Sequence, residues 1–172
     1  MQNQTVKIKS STASTYKAPK TAKRRKPKFI QGWYELQFPE KFKQPIDNHM
    51  KSYKDGHVNH KSGLELKAFR YCDYNPSILE WSLEPFAIQY LSPIDSKMHR
   101  YYPDIWIRFK TGEVFLVEIK SSAETKLPRK NDKMYAKKMQ TFLVNQAKWQ
   151  AAKGFCEVNN MHFQILTEKV LN

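Results

Sequence analysis

The sequence predicts an α/β (α+β) domain, a mixed sheet with an antiparallel meander flanked by helices, carried behind a basic N-terminal arm. Three observations point there. Apolar runs of strand length follow one another between residues 86 and 119, separated by turn signals. Stretches with helical apolar spacing lie on either side, near 62–75 and 134–153. The charge is lopsided: of 30 Lys and Arg, nine fall in residues 1–34, which contain no acid, leaving twenty-one bases against 16 acids in the remainder.

The first thirty or so residues lack hydrophobic periodicity and read as a flexible arm that orders on a partner. Its end, Lys23, Arg24, Arg25, Lys26, Pro27 and Lys28, suits a polyanion such as DNA, bound through counterion release with little sequence discrimination. A solvated solubility tail and a contact arm for an acidic protein surface are the other readings of this composition. The expected organisation is an arm over 1–33, an irregular connection over 34–60 containing Pro39 and Pro45, and a single domain over 61–172.

Within that domain, Ser62-Gly63-Leu64-Glu65 opens a helix with Leu64, Ala68, Phe69 and Cys72 on its apolar face, ending near Asn75-Pro76. Ser62 and Glu65 fit a capping box, in which Glu65 reaches back to the Ser62 amide. Glu65 also leans toward the core, so a catalytic role stays equally open. Phe86 to Leu91 reads as a strand, Ser92 to Lys97 as a turn, His99 to Phe109 as a second strand, and Val114 to Ile119 as a third. The segment Ser121 to Lys133 is a mobile loop that either clamps nucleic acid or is solvated. A helix follows from about Met134 to Lys153, with Tyr135, Met139, Phe142, Gln146 and Trp149 on one stripe. Phe142 and Trp149 read as packing residues; Gln146 is either hydrogen-bonded in the core or turned toward the site. Met161 to Leu166 closes as a short strand.

The chemistry is concentrated at Tyr102-Pro103-Asp104 and, fourteen residues on, Glu118-Ile119-Lys120. Side chains alternate along a strand, so Glu118 and Lys120 share a face. The run Val114 to Ile119 is apolar on both faces, as in a buried central strand, where an ionised glutamate is costly unless it is paired or metal-bound. Two carboxylates holding a divalent cation beside a fixed ammonium are what phosphodiester hydrolysis needs: charge neutralisation at phosphate, and a positive group near the attacking water. Register is the obstacle. A two-residue Thr111-Gly112 loop would pair Asp104 with Ile119 and put it on the face opposite Glu118. A one-residue shift, from a bulge or an odd-length loop, or strand twist at the end position of Asp104, is required to bring the two acids together.

Other classes are excluded or disfavoured. With 172 residues, 40% hydrophobic and 13% aromatic, the chain suits one domain with a core. Cys72 and Cys156 have neither zinc spacing nor disulfide density, and the five histidines form no ligand pattern. No run approaches the roughly 18 apolar residues of a membrane span, and the N-terminus lacks the apolar core of a signal peptide.

Glu65, Asp104 and Glu118-Ile119-Lys120, in the order helix, meander, helix, strand, together resemble the restriction-endonuclease-like PD-(D/E)xK superfamily. Asn75 to Ser82, Tyr90 to Asp95, Arg100 to Asp104 and Val144 to Ala152 resemble more specifically the head completion nucleases of tailed phages related to the T-even phages, themselves similar to the N-terminal domain of TnsA-like transposon endonucleases. The resemblance covers roughly residues 60–155 and implies a restriction-endonuclease-like core. It implies that Asp104, Glu118 and the Ile119 carbonyl bind Mg2+ or Mn2+, that Lys120 orients water or stabilises developing charge, and that Glu65 binds a second cation or a metal water. Gly63 and Leu64 depart from the bulkier residues expected before Glu65, which leaves its placement open. The function implied is a metal-dependent DNA endonuclease of phage head completion, partnered by DNA and by head, portal or neck proteins, working in the host cytoplasm during assembly or within the virion. The competing readings are a structural head-completion or neck protein with a silent nuclease fold, and a TnsA-like transposase endonuclease subunit, which calls for a second domain or an extension not evident after residue 172.

Overall fold

A computed structural model describes residues 31–44 and 53–171. The arm cations Lys23, Arg24, Arg25, Lys26 and Lys28 lie outside the described residues. In chain order the elements are β1 (Gly32–Glu35), β2 (Tyr53–Lys54), β3 (His57–His60), α1 (Gly63–Tyr74), β4 (Ile78–Leu83), β5 (Ile88–Leu91), β6 (Met98–Tyr101), β7 (Ile105–Phe109), β8 (Val114–Ile119), α2 (Tyr135–Val158) and β9 (His162–Leu166), with a 3-10 turn at Pro39–Lys41.

The central sheet has the order β4-β7-β8-β9, antiparallel up to β8 and parallel between β8 and β9. Strand β8 is interior, with Leu116, Val117, Glu118 and Ile119 all buried, as its apolar composition requires. Alternation along β7 and β8 divides the core into two layers. Ile105, Ile107, Val117 and Ile119 pack with Phe69 and Cys72 of α1 and with Trp81. Leu116 and Trp106 pack on the other face, with Ala152 and Cys156 of α2 and with Ile88, Tyr90 and Tyr101 of a separate two-stranded β5-β6 sheet. The domain is thus a mixed sheet between helical layers, the restriction-endonuclease-like arrangement.

Several expectations need correction. The region expected to end the arm and run irregularly to residue 60 instead holds the sheet β1-β3-β2. Its strands are two to four residues long and β1 pairs with a strand more than twenty residues away, so no local periodicity marks it. Gly32 faces His60 there, where a Cβ would come within 3.1 Å of the imidazole Nε2. The stretch read as one strand from His99 to Phe109 is broken at Tyr102-Pro103, and its two halves join different sheets. Strand β4, unassigned from sequence, forms the edge of the central sheet. Helix α2 runs on to Val158, and Gln146 is exposed rather than in the core or at the site; Asn145 is the buried neighbour. The start of the loop after β8 is held: the Ser122 amide donates to Glu168 Oε2 at 2.8 Å, and its hydroxyl donates to the same carboxylate.

Helix α1 is fixed at both ends. Ser62 Oγ accepts from the Glu65 amide at 3.1 Å, and Glu65 Oε2 accepts from the Lys61 amide at 2.5 Å, a capping box whose return bond lands one residue earlier than expected. At the other end, Asp73 is fully buried and accepts from the Tyr34 hydroxyl (2.6 Å) and from the amides of Gln37 (2.8 Å) and Phe38 (3.1 Å). Lys41 Nζ donates to the carbonyls of Asp73 (2.6 Å) and Asn75 (2.9 Å), placing a cation on the negative end of the helix. Segment 31–44 therefore clamps the helix that carries Glu65.

Candidate active site

The β7–β8 turn decides whether the two acids meet. Arg108 pairs with Val114 and Ile105 with Val117, while the Phe109 amide bonds the Glu113 carbonyl at 2.9 Å. The connection is therefore the three-residue loop Lys110-Thr111-Gly112, with Gly112 at φ +91°, a left-handed value that glycine adopts without steric cost. This odd-length loop supplies the one-residue shift. Continued one step past Ile105, the register sets Asp104 opposite Glu118 on the same face, and Asp104 Oδ2 accepts from the Ile119 amide at 2.6 Å.

Three charged groups converge at this end of the sheet. Lys120 Nζ lies 2.8 Å from Glu118 Oε1 and donates to the Ile119 carbonyl at 3.2 Å. Glu118 is 3% exposed, and its Oε2 accepts the Tyr101 hydroxyl at 2.5 Å. Burial pushes the Asp104 carboxyl well above its ordinary range, and the Glu118 charge beside it raises it further, against the opposing pull of Lys120 and the Ile119 amide. Burial alone would depress Lys120, but Asp104 and Glu118 outweigh it and hold the ammonium above its usual value. The Tyr101 phenol is raised by burial and by Glu118, so its hydroxyl stays a donor.

Glu65 reaches the edge of this site. It lines an open pocket with Lys61, Phe69, Glu84 and Asp104, and its charge adds to the upward pressure on Asp104. The same carboxylate serves the capping box, so one oxygen is engaged by the Lys61 amide. Sequence reasoning missed Glu84, which sits at φ +41° with its amide on the Asp104 carbonyl and its carboxylate 3.4 Å from Lys61 Nζ. It also missed Tyr101, whose contact with Glu118 spans seventeen residues and two sheets.

The residues present fit a small hard cation. Asp104, Glu118 and the Ile119 carbonyl are oxygen donors, and the ammonium of Lys120 already rests against two of them. No group of three or more His, Cys, Asp and Glu suited to a metal is gathered among the described residues. A cation held here would complete its shell from water and phosphate, the habit of magnesium. Two neighbouring carboxylates with one ammonium beside them leave room for added positive charge.

A central sheet of this order, with an aspartate leading one strand and Glu-x-Lys ending its neighbour, defines a nuclease domain of the restriction-endonuclease-like class. Residues 75–168, from the turn before β4 to just past β9, match the TnsA-like endonuclease N-terminal family, and the chain belongs to that family. The chain is also similar to the head completion nuclease of Enterobacteria phage T4, 34% identical over an alignment of 118 residues that covers 64% of this chain and 79% of that protein. The family match contains Asp104, Glu118 and Lys120, whereas Glu65 on α1 precedes it.

Proposed function

We propose that this protein is a divalent-metal-dependent DNA endonuclease acting in phage head completion, with Asp104, Glu118 and the Ile119 carbonyl holding Mg2+ or Mn2+ and Lys120 serving the reacting phosphate. The reading is carried by one observation: the buried carboxylate of Glu118 stands beside the half-buried Asp104 carboxylate and the half-buried Lys120 ammonium at the ends of neighbouring strands, at a cost that a purely structural role does not repay. A cation bound there would neutralise phosphate charge and acidify water. The chain's own groups do the rest. Asp104 and Glu118, as the groups that would hold that cation, set where a phosphate can approach the sheet. Lys120, held charged, orients the attacking water and offsets the negative charge that grows as the new phosphorus–oxygen bond forms and the bond to the leaving oxygen breaks; the water's proton passes to solvent, and the leaving oxygen takes one up from solvent. Glu65, at the pocket's edge, orients a second water or cation.

Substrate binding rests on charge. The loop after Lys120 exposes Lys126, Arg129, Lys130 and Lys133, and the arm adds Lys23, Arg24, Arg25, Lys26 and Lys28. Such groups read phosphate rather than bases, so sequence specificity is low. By analogy with the head completion relative, the protein partners are those of the head, portal or neck, and the place of action is the host cytoplasm during assembly, or the virion. Among the described residues no helix is long and apolar enough to cross a membrane.

The experiment is cleavage of supercoiled plasmid with Mg2+, Mn2+ or chelator, scored with DNA binding, beside Lys120→Ala. Metal-dependent cutting lost in the variant supports the reading; binding without cutting in every metal would favour a structural head protein. Removing residues 1–28 is expected to weaken binding and flatten its dependence on salt by nearly one unit per lost phosphate contact. An unchanged slope would assign the arm to a protein partner.

A further inference from the structure

Glu118 sits where a carboxylate must present one particular oxygen. Its terminal torsion is broad and two-fold, so an unsupported side chain would present either oxygen, or neither, to the position where Asp104 and the Ile119 carbonyl converge. Here both oxygens are assigned: Oε1 meets the Lys120 ammonium, and Oε2 accepts the Tyr101 hydroxyl. Tyr101 does not belong to the central sheet. It ends β6 of the separate two-stranded sheet, opposite Ile88, and its ring is 4% exposed among Leu116, Ala152 and Cys156. Packing on these sides leaves the hydroxyl little freedom. Above the ring, Lys148 of α2 places its Nζ 5.6 Å from the centroid, and the same ammonium lies 5.7 Å from the ring of Tyr90. A cation over a phenol face draws electron density from the ring and makes the hydroxyl a better donor.

We propose that Tyr101 is a positioning residue of the nuclease site: its hydroxyl holds Oε2 of Glu118, so that Oε1, the oxygen that meets the Lys120 ammonium, is the one presented to a cation. Lys148, through the ring, reinforces that bond. The assignment rests on the reading of Glu118 as a metal ligand. Hydrogen-bond partners of ligating carboxylates commonly govern metal affinity as strongly as this requires.

The test compares full-length wild type, Tyr101→Phe and Tyr90→Phe by calorimetric titration with Mn2+, by thermal melting, and by plasmid nicking across a Mn2+ series. Tyr101→Phe keeps the buried ring and is expected to raise the Mn2+ dissociation constant roughly 10–100-fold. Nicking by this variant should largely recover at saturating Mn2+, so that the loss falls in the metal midpoint and not in the limiting rate. Tyr90→Phe, under the same lysine but away from Glu118, should match wild type. Wild-type Mn2+ affinity in Tyr101→Phe would overturn the proposal, as would equal losses in both variants, which would mark disturbed packing. Should Tyr101→Phe melt below the assay temperature, Lys148→Met decides: a midpoint raised about threefold upholds the network, and an unmoved one overturns it. A wild type that binds no Mn2+ removes the metal-site reading itself, a result distinct from either.

Discussion

Two buried acids, Asp73 and Glu118, stand at opposite kinds of site. Asp73 is completely enclosed at the end of α1, and its oxygens are met by a tyrosine hydroxyl and two backbone amides. Lys41 caps the carbonyls around it. Glu118 is nearly as buried, but its partners are one hydroxyl and one ammonium, and a second, half-buried carboxylate, Asp104, lies beside it across the strand pair. The first arrangement satisfies its charge with dipoles and repels nothing. The second keeps like charges together and holds them there with rigid β structure. A buried acid with a full set of neutral donors is part of the scaffold; one left beside another acid is equipped for chemistry.

The largest effect that could break this contrast is on cleavage. Glu118→Ala and Lys120→Ala should each lower metal-dependent plasmid cleavage by roughly a thousandfold or more, with the protein still folded by circular dichroism and still bound to DNA. Cleavage surviving in either variant would return these residues to the scaffold class. Asp73→Ala should do the reverse. Losing a carboxylate that accepts from Tyr34, Gln37 and Phe38 strands those donors and should cost about 3 kcal/mol, read as a lower urea midpoint. At a temperature where it is folded, its cleavage should stay within a few-fold of wild type; a loss as deep as that of Glu118→Ala would mean that the α1 clamp sets the site's geometry directly.

The two acids also differ in how far the sequence disclosed them. Glu118 and Lys120 are two residues apart at the end of an apolar strand, so period-two alternation is enough to align them. Asp104 needed one further fact, the length of the β7–β8 loop, and a residue count could not choose between a two-residue turn and Lys110-Thr111-Gly112. Asp73 carried no signal, because its partners lie 35 to 39 residues away on a segment with no periodicity. Tyr101 was hidden for the same reason, its contact crossing from one sheet to another. On α2 the error was a single position. Tyr135, Met139 and Phe142 are half-buried and Trp149 is buried, as the stripe requires, but Asn145 and not Gln146 turns inward, and the buried positions continue through Ala152 and Cys156 where the helix meets the β5-β6 sheet and β9.

A smaller effect sharpens the contrast through pH. In the unfolded chain the Asp104 carboxyl titrates near 3.8, and in the fold burial and then Glu118 push it up to about 7. Between those values the folded state holds the extra proton, so this group makes the metal-free protein less stable as pH rises from about 4 to about 7, with no further loss above that. Asp104→Asn keeps an acceptor for the Ile119 amide and removes the repulsion. It should flatten that part of the stability profile and raise metal-free stability at pH 8 by on the order of 1–2 kcal/mol, measured by urea unfolding. A variant less stable than wild type at pH 8 would show that Asp104 is held as favourably as Asp73, and the distinction between the two buried acids would fail.

Glu65 lies between the two classes and gives the finest discrimination. One oxygen serves the capping box through the Lys61 amide, a scaffold role, while the carboxylate also borders the pocket that Asp104 lines. Glutamine fills the same capping position as glutamate, so Glu65→Gln should leave stability within about 0.5 kcal/mol of wild type. It removes the negative charge and should slow cleavage roughly tenfold if that charge orients a water or a second cation at the edge of the site. Glu65→Ala loses the cap as well, and should show the same slowing together with a stability loss of about 1 kcal/mol. Slowing in the alanine variant alone would tie Glu65 to the helix end and leave Asp104, Glu118 and Lys120 as the acting set; equal slowing in both would place the α1 glutamate in the site despite its service as a cap.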